Sequence, residues 1–293
     1  MLATVVTTSR SSVQTHGVPR DPNQNPFRAT PPDITSSSTW GDVLILPKPE
    51  RTLRFIFQNI QGLPIYTHHD KHLEIGTAIL ETEADIFGMA EINLNFKALP
   101  ASSQWHDRFH KLRRNHSTNT YNKHDSSTAN ILFGGTAQIS TGVLSHRAII
   151  SGSDESGMGR WTWTLYMGKN DTKLRVISGY RPNPDYTDRP GSVYSQQERS
   201  LREREDDRNP RKAFTQALAT ELDAWTSSGN LIIIGMDAND NVRNGEVNTM
   251  LRNRGFVEVH AARHPQLPTA STCNKNTRNI PVDGIWASPS LDC

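Results

Sequence analysis

Cysteine, long apolar runs and an excess of one charge are all scarce in this chain of 293 residues. Its two cysteines, Cys273 and Cys293, cannot build a disulfide framework or a cysteine-based zinc site, and they fit a reducing compartment. The longest apolar runs, such as LIII at 231–234, are far too short to span a membrane. Because 32 basic residues balance 30 acidic ones, any nucleic-acid surface must be a local patch.

The first 50 residues lack a sustained apolar period and are rich in Ser, Thr and Pro. This composition cannot bury enough surface to fold, so it predicts a disordered leader over residues 1–50. The first twenty residues contain Arg10 and Arg20, many Ser and Thr, and no acid, which faintly resembles a transit peptide, but a disordered tail is the commoner explanation. The remaining residues, 51–293, are enough for one large α/β domain.

Short runs rich in apolar, aromatic and β-branched residues predict strands along that domain. They lie at 53–59, 84–91, 130–140, 161–167, 173–180, 231–237 and 281–288. Helices are predicted at 69–83, 191–208, 209–229 and 244–255, and a long surface loop at 101–128. The helix after Asn209 is the best marked, because Asn209 can cap it and Pro210 suits its first turn. The pattern indicates a layered α/β sandwich with a site along one rim.

Polar oxygens end five of these strands. They are Asn59, Glu91, Tyr180, the pair Asp237 and Asn239, and Asp283. Each one alone is better explained as a turn residue, a cap or a solvated acid. Their repetition in one structural context instead favours ligands held rigidly at a rim. Because they are hard oxygen donors, without clustered histidine or cysteine, they predict Mg²⁺ or Mn²⁺ as the cofactor.

Five segments lie in order between residues 53 and 289: LRFIFQNIQGL, ADIFGMAE, VISGYRPNP, LIIIGMDAND and PVDGIWAS. As a set they resemble the motifs of the endonuclease/exonuclease/phosphatase superfamily. The resemblance implies its DNase I-like fold, a four-layered α/β sandwich of two mixed sheets flanked by helices. GRWTW at 159–163 and GYRPNP at 179–184 are similar to the endonuclease domains of non-LTR retrotransposons and related reverse-transcriptase polyproteins.

The resemblance also implies a role for each residue of the rim. Glu91 would be the principal metal ligand, with Asn59 beside it. Asp237 would orient or deprotonate the attacking water. Asn239 would hold the scissile phosphate, and Tyr180 would donate its hydroxyl to a phosphate oxygen.

Asp283 would pair with a histidine one strand further along the family pattern, and no histidine follows His264 here. We therefore expect a C-terminally truncated fragment that lacks its final strand and catalytic histidine and has little activity. Arg160 and Arg181 lie near predicted strand ends and are the candidates to bind a substrate phosphate. The basic stretch at 106–116 fits a phosphate contact or a solvated loop equally well.

Three histidines near the first helix, His68, His69 and His72, are expected to be surface residues. Trp161 and Trp163 are expected to pack in the core. The sequence thus predicts a Mg²⁺-dependent phosphodiesterase that nicks DNA, with no membrane and no evident protein partner. It would be intracellular, and nuclear if it serves a retrotransposon. Two alternatives stay open: a catalytically dead nucleic-acid-binding remnant, and a phosphodiesterase or phosphatase for RNA, a phospholipid or an inositol phosphate.

Overall fold

A computed structural model describes residues 47–67, 69–109, 112, 114–184, 191–266, 272 and 280–291, and the backbone of 2–7. It contains two mixed β-sheets with helices on their outer faces, which confirms the predicted α/β sandwich. No helix in these ranges has the length and apolar character needed to cross a membrane.

The first sheet has the strand order β1-β2-β3-β5-β4. Its strands are β1 (Leu2–Thr7), β2 (Thr52–Asn59), β3 (Ile86–Ala90), β4 (Asn115–Thr120) and β5 (Thr136–Thr141). The second sheet has the order β10-β11-β9-β8-β7-β6. Its strands are β6 (Ala148–Ser153), β7 (Trp161–Met167), β8 (Lys173–Tyr180), β9 (Asn230–Asp237), β10 (Val257–Glu258) and β11 (Asp283–Ala287). The pairs β1/β2, β2/β3 and β8/β9 are parallel, so β2 and β3 end at one edge and β8 and β9 end together.

Helices cover both sheets. They are α1 (Asp70–Glu81), α2 (Trp105–Arg108), α3 (Gly142–Ser145), α4 (Val193–Arg202), α5 (Pro210–Ser227), α6 (Glu246–Arg252) and α7 (Val259–Arg263), with a 3₁₀ turn at Ala101–Ser103. The signals read for α5 are confirmed, because the Asn209 side chain accepts a hydrogen bond from the backbone nitrogen of Lys212 at 2.8 Å and Pro210 occupies the first turn. Phe214, a residue of this helix, is fully buried.

The apolar core has three layers. One lies between α1 and the first sheet, and a second lies between α5 and the second sheet, where Trp161 is buried as expected. The third fills the space between the sheets, where Phe55, Phe57, Tyr180 and Ile233 pack together. The sheets are therefore fixed face to face, and the strand ends of both are held at one rim.

The structure differs from the sequence prediction in two long segments. The expectation of a disordered leader is wrong for Leu2–Thr7, which pair in parallel with β2, while residues 8–46 lie outside the described ranges. The loop predicted at 101–128 contains α2 and β4. Strand β4 has the sequence NHSTNT, without one apolar residue, and pairing with β5 stabilises it.

Helix α1 packs against the sheet through only some of its apolar side chains. Leu73 and Leu80 are exposed, whereas Ile75, Ile79 and His72 are buried. The expectation of a surface position was therefore wrong for His72. Burial first, and then the charge of Arg108, lower its pKa to about 4, so its ring is neutral inside the fold. His69 is exposed at the start of the helix, and His68 lies outside the described residues.

Candidate active site

Strand register brings the predicted rim residues together. Tyr180 pairs with Asp237 across the parallel strands β8 and β9, and Asp283 pairs with Asp237 across β9 and β11. The first sheet meets this group through Asn59, whose Nδ2 donates to Asp237 Oδ2 at 2.7 Å. Glu91 follows β3, the neighbour of the strand that Asn59 ends. The five residues therefore form one site, built from both sheets.

The turn after β9 is held by hydrogen bonds of its own. Asp237 Oδ1 accepts from the backbone nitrogen of Asn239 at 3.0 Å. The Asn239 amide Nδ2 then donates to the carbonyl of Arg181 at 2.7 Å, which ties the turn to the residue after Tyr180. On the opposite side, Asn59 Oδ1 accepts from the backbone nitrogen of Gln61 at 3.0 Å. Each amide thus has a fixed orientation before any substrate binds.

Tyr180 connects the two sides of the site. Its side chain is buried and forms hydrogen bonds with the side chains of Glu91 and Asn239. Burial, followed by the charges of Glu91 and Asp237, raises the pKa of its phenol well above the usual value. The hydroxyl therefore stays protonated at neutral pH and is available as a hydrogen-bond donor.

Negative charge is crowded at the site. Burial, followed by the neighbouring charges of Asp283 and Glu91, raises the pKa of Asp237 well above its usual range. Burial also raises the pKa of Asp283 to about 7, although a hydrogen bond from Thr272 opposes that shift. Asp283 Oδ1 is buried and has no hydrogen-bond partner among the described residues. Buried carboxylates without a cation to pair with are costly, and they mark a place where a cation is favoured.

The backbone around the site is strained. Gln61, Glu91, Asn93 and Asn239 all have positive φ angles, between 45° and 53°. The left-handed conformation costs an L-residue with a side chain roughly 1–2 kcal/mol. Glycine would form the same turn with less strain, so the conformation of Glu91 marks its side chain as a candidate for a functional role.

No family model and no curated protein matches the chain, but solved structures do. An AP endonuclease from Archaeoglobus fulgidus superposes with a TM-score of 0.54 at 15% identity, over 82% of this chain and 88% of that one. The Xenopus laevis APE2 catalytic domain gives 0.54 at 16% identity, over 81% and 83%. The 3′ phosphatase NExo from Neisseria, bound to product DNA hairpin, gives 0.54 at 13% identity, over 80% and 86%.

The fold is that of the endonuclease/exonuclease/phosphatase family. At these low identities the likeness shows the fold alone. Among the described residues, no group of three His, Cys, Asp or Glu side chains is arranged so that it could hold a metal ion. The donor set nevertheless fits a divalent cation. In addition to burial, the charges of Asp283 and Glu91 raise the pKa of Asp237, and the charge of Glu91 raises that of Asp283. One oxygen of Asp283 has no hydrogen-bond partner among the described residues. Carboxylate oxygens grouped in this way are the ligands that Mg²⁺ and Mn²⁺ prefer.

The two arginines predicted to bind substrate are placed differently. Arg160 is buried, and its guanidinium donates to both oxygens of Asp154, at 3.0 and 2.8 Å. Arg181 is also buried and contacts Asp240 Oδ2 at 3.2 Å and the carboxylate of Glu246. Neither guanidinium is free to reach a phosphate in this arrangement. Their attribution to substrate is therefore corrected to a structural role.

Arg181 remains important to the site through its backbone and its partners. Its nitrogen donates to the Asp237 carbonyl at 2.9 Å, and its carbonyl holds Asn239. Its side chain fixes Asp240, which follows the turn, and Glu246 at the start of α6. Sequence reasoning missed both acids. The one available signal was an acidic residue directly after the Asp-x-Asn triplet.

Proposed function

We propose that this chain hydrolyses phosphodiester bonds with the help of a divalent cation, and that it prefers DNA and nicks it. The convergence of Asn59, Glu91, Tyr180, Asp237 and Asp283 at one rim, with excess buried negative charge, is the observation that carries the proposal. The choice of DNA is supported by neighbours of the same fold, an AP endonuclease and a phosphatase bound to a DNA hairpin.

In this proposal Glu91 and Asn59 hold Mg²⁺ or Mn²⁺, which supplies positive charge to a phosphate. Asp237 orients the attacking water and accepts its proton, because its pKa is raised and its orientation is fixed by Asn59. Asn239, whose side chain bonds to the Arg181 carbonyl and to Tyr180, would hold the scissile phosphate by giving up its bond to Tyr180. Tyr180, protonated at neutral pH, would turn its O–H from Glu91 to a phosphate oxygen. Most of the rate then comes from positioning and electrostatics.

The biological setting is proposed from sequence. GRWTW and GYRPNP resemble retrotransposon endonuclease domains, so the proposed role is nicking of target DNA in the nucleus. A second function is phosphomonoester hydrolysis. It is favoured by the occurrence of the same fold in a 3′ phosphatase and in the Bacteroides thetaiotaomicron mannosyl-6-phosphatase Bt3783, with TM-scores of 0.54 and 0.51.

A nicking assay on supercoiled plasmid tests the first function. Wild-type protein is expected to nick slowly with Mg²⁺ or Mn²⁺, in line with the little activity predicted from its sequence, and to be silent in EDTA. Glu91→Gln is expected to lose on the order of a hundredfold or more in rate. Glu50→Gln, at an exposed acid, is the matched control and should keep the wild-type rate. Absence of metal-dependent cleavage of DNA, RNA and bis(p-nitrophenyl) phosphate would overturn the proposal.

A further inference from the structure

The loop at 127–135, which leads into β5, is fastened to the segment that follows Glu91. Six hydrogen bonds hold it. Four are Asn93 N to Gly134 O at 2.9 Å, Ile92 N to Gly135 O at 3.3 Å, Asn95 N to Asn130 O at 2.9 Å, and Gly134 N to Asn93 Oδ1 at 2.7 Å. The other two run from Asn95 Nδ2 to the carbonyls of Ser127 and Ala129, at 2.8 and 3.0 Å. Gln196 on α4 also donates to the Phe133 carbonyl at 3.4 Å. The loop is therefore held from both sides, within a few residues of the site's central carboxylate.

Two large apolar side chains project from this fixed loop. Ile131 and Phe133 are each 53% exposed, whereas Leu132 between them is only 5% exposed and anchors the loop. Leu132 shows that the loop can bury an apolar side chain, yet Ile131 and Phe133 on either side of it are exposed to solvent. Exposed apolar groups held rigidly beside an active site are typical of an interaction surface.

Two exposed lysines lie close along the chain to the ends of this attachment. Lys97 is two residues after Asn95, Lys123 is four residues before the loop begins, and the Lys97 ammonium donates to the Lys123 carbonyl. The nearby acid, Asp125, pairs with Arg199 at 3.2 Å and so adds no free negative charge. The surface thus combines two apolar side chains with exposed positive charge. This combination suits a partner with flat apolar faces on an anionic backbone, as nucleic acids have.

We propose that Ile131 and Phe133 contact the nucleobases of the nucleic acid cleaved at the rim, and that Lys97 and Lys123 contact its phosphates. The inference rests on the proposed function, and it names the surface that selects a nucleic acid over a small phosphate ester. Phe133 stacks on a base face, and Ile131 fills the space beside it. A single strand or an opened duplex step supplies that base face.

Binding to fluorescein-labelled oligonucleotides in EDTA tests the surface without requiring catalysis. The probes are a single strand, a perfect duplex and a duplex with three unpaired bases. Phe133→Ala is expected to weaken binding to at least one probe by about tenfold, and the double change with Ile131→Ala by more. Phe133→Tyr keeps an aromatic ring and should retain affinity. Ile150→Ala is the matched control, because Ile150 is 55% exposed on the edge strand β6.

The salt dependence of binding distinguishes the contribution of the lysines from that of Ile131 and Phe133. Lys97→Ala should reduce the slope of log affinity against log salt by about one, whereas Phe133→Ala should leave it unchanged. Turnover of bis(p-nitrophenyl) phosphate should be unaltered by all of these variants, since that ester is too small to reach the loop.

The outcomes distinguish the two proposals. If Phe133→Ala and the double variant bind every probe like wild type, the proposed contact of Ile131 and Phe133 with bases is overturned, while the proposed nuclease activity stands. Weakening that is confined to the single strand, or to duplexes, supports base contact and identifies the form recognised. If wild type binds no probe yet hydrolyses bis(p-nitrophenyl) phosphate with metal, the proposed base contact and the proposed preference for DNA both fail, and the proposed phosphodiesterase activity survives.

Discussion

Asp237 and Asp154 are buried to the same extent, at 3% and 2% exposure, and their carboxyl groups behave in opposite ways. Burial acts to raise the pKa of Asp154, but the hydrogen bonds and charge of Arg160 outweigh it and the pKa falls. At Asp237 burial is reinforced by Asp283 and Glu91, and the pKa rises. One carboxylate already has its cation, and the other lies among further acids. The second is the one placed to bind an added cation.

Removing the carboxylate charge should therefore change stability in opposite directions at these two positions. Asp154→Asn leaves the Arg160 guanidinium buried without a counter-charge, and is expected to lower the free energy of unfolding by about 3–5 kcal/mol. Urea denaturation monitored by tryptophan fluorescence measures this loss. A matched surface pair, Asp223 with Arg254, should lose less than about 1 kcal/mol on Asp223→Asn. Equal losses at the two pairs would remove the basis for the comparison.

Asp237→Asn is expected to raise the unfolding free energy of the metal-free protein while it lowers the cleavage rate on the order of a hundredfold. The stability gain follows because the amide removes one of the crowded charges. Its size should be no more than about 1 kcal/mol, because the amide nitrogen cannot accept the hydrogen bond that Asn59 or Asn239 now donates to the carboxylate. Urea denaturation in EDTA, next to the nicking assay, measures both. A destabilised Asp237→Asn with normal nicking would show that Asp237 is an ordinary structural acid.

A divalent cation should stabilise wild type and have no comparable effect on Glu91→Gln. At a Mn²⁺ concentration of 100 times Kd, the expected gain is about 2.7 kcal/mol. Thermal melts with increasing Mn²⁺, set against Ca²⁺ and an EDTA control, give the shift. Glu50→Gln should respond as wild type does. A gain of the same size in Glu91→Gln would place the cation elsewhere on the molecule.

The sequence predicted the rim and failed on the arginines for a physical reason. An apolar run that ends in a polar residue is visible along the chain, and it identified Asn59 and Asp237 without any tertiary information. Whether an arginine is free depends on acids brought to it by folding. The Asp240 that pairs with Arg181 is 59 residues away, and pairing of this kind is invisible in a local pattern.

Burial of polar segments was missed for a related reason. Strand β4 carries no apolar residue, so its pattern resembles a loop, and only its pairing with β5 makes it a strand. His72 was assigned to the surface because histidine usually lies there. In the structure its neighbour Arg108, at 3.0 Å, lies with it beneath the loop at 64–65.

A substitution of Arg181 tests whether an arginine whose charge is already paired still contributes to catalysis. Arg181→Met removes the contacts to Asp240 and Glu246 and should loosen the turn that carries Asn239. We expect kcat to fall about tenfold with KM little changed, because the effect passes through the geometry of the turn and not through substrate binding. Steady-state cleavage of an oligonucleotide measures both constants. A rise in KM alone would restore the original attribution of Arg181 to substrate.

Glu221 provides an intermediate case and the smallest expected effect. It is only partly buried, its carboxyl accepts a hydrogen bond from Trp161 Nε1 at 3.3 Å, and burial raises its pKa to about 7. Since its ordinary value is near 4.5, the folded protein holds a proton on Glu221 that the unfolded chain releases. Wild type should thus lose stability as pH rises from about 4.5 to 7, relative to Glu221→Gln.

After allowance for solvent screening at a partly exposed group, the expected loss is about 1–2 kcal/mol. Urea denaturation of wild type and Glu221→Gln at pH 4.5 and pH 8 isolates it, because the other titrating groups are common to both proteins. The difference between the two proteins should be small at pH 4.5 and should favour Glu221→Gln at pH 8. A constant difference would mean that Arg160 neutralises Glu221 together with Asp154. In that case Glu221, like Asp154, has a cationic partner. Of the buried carboxylates compared, the rim acids would then be the ones without a cation.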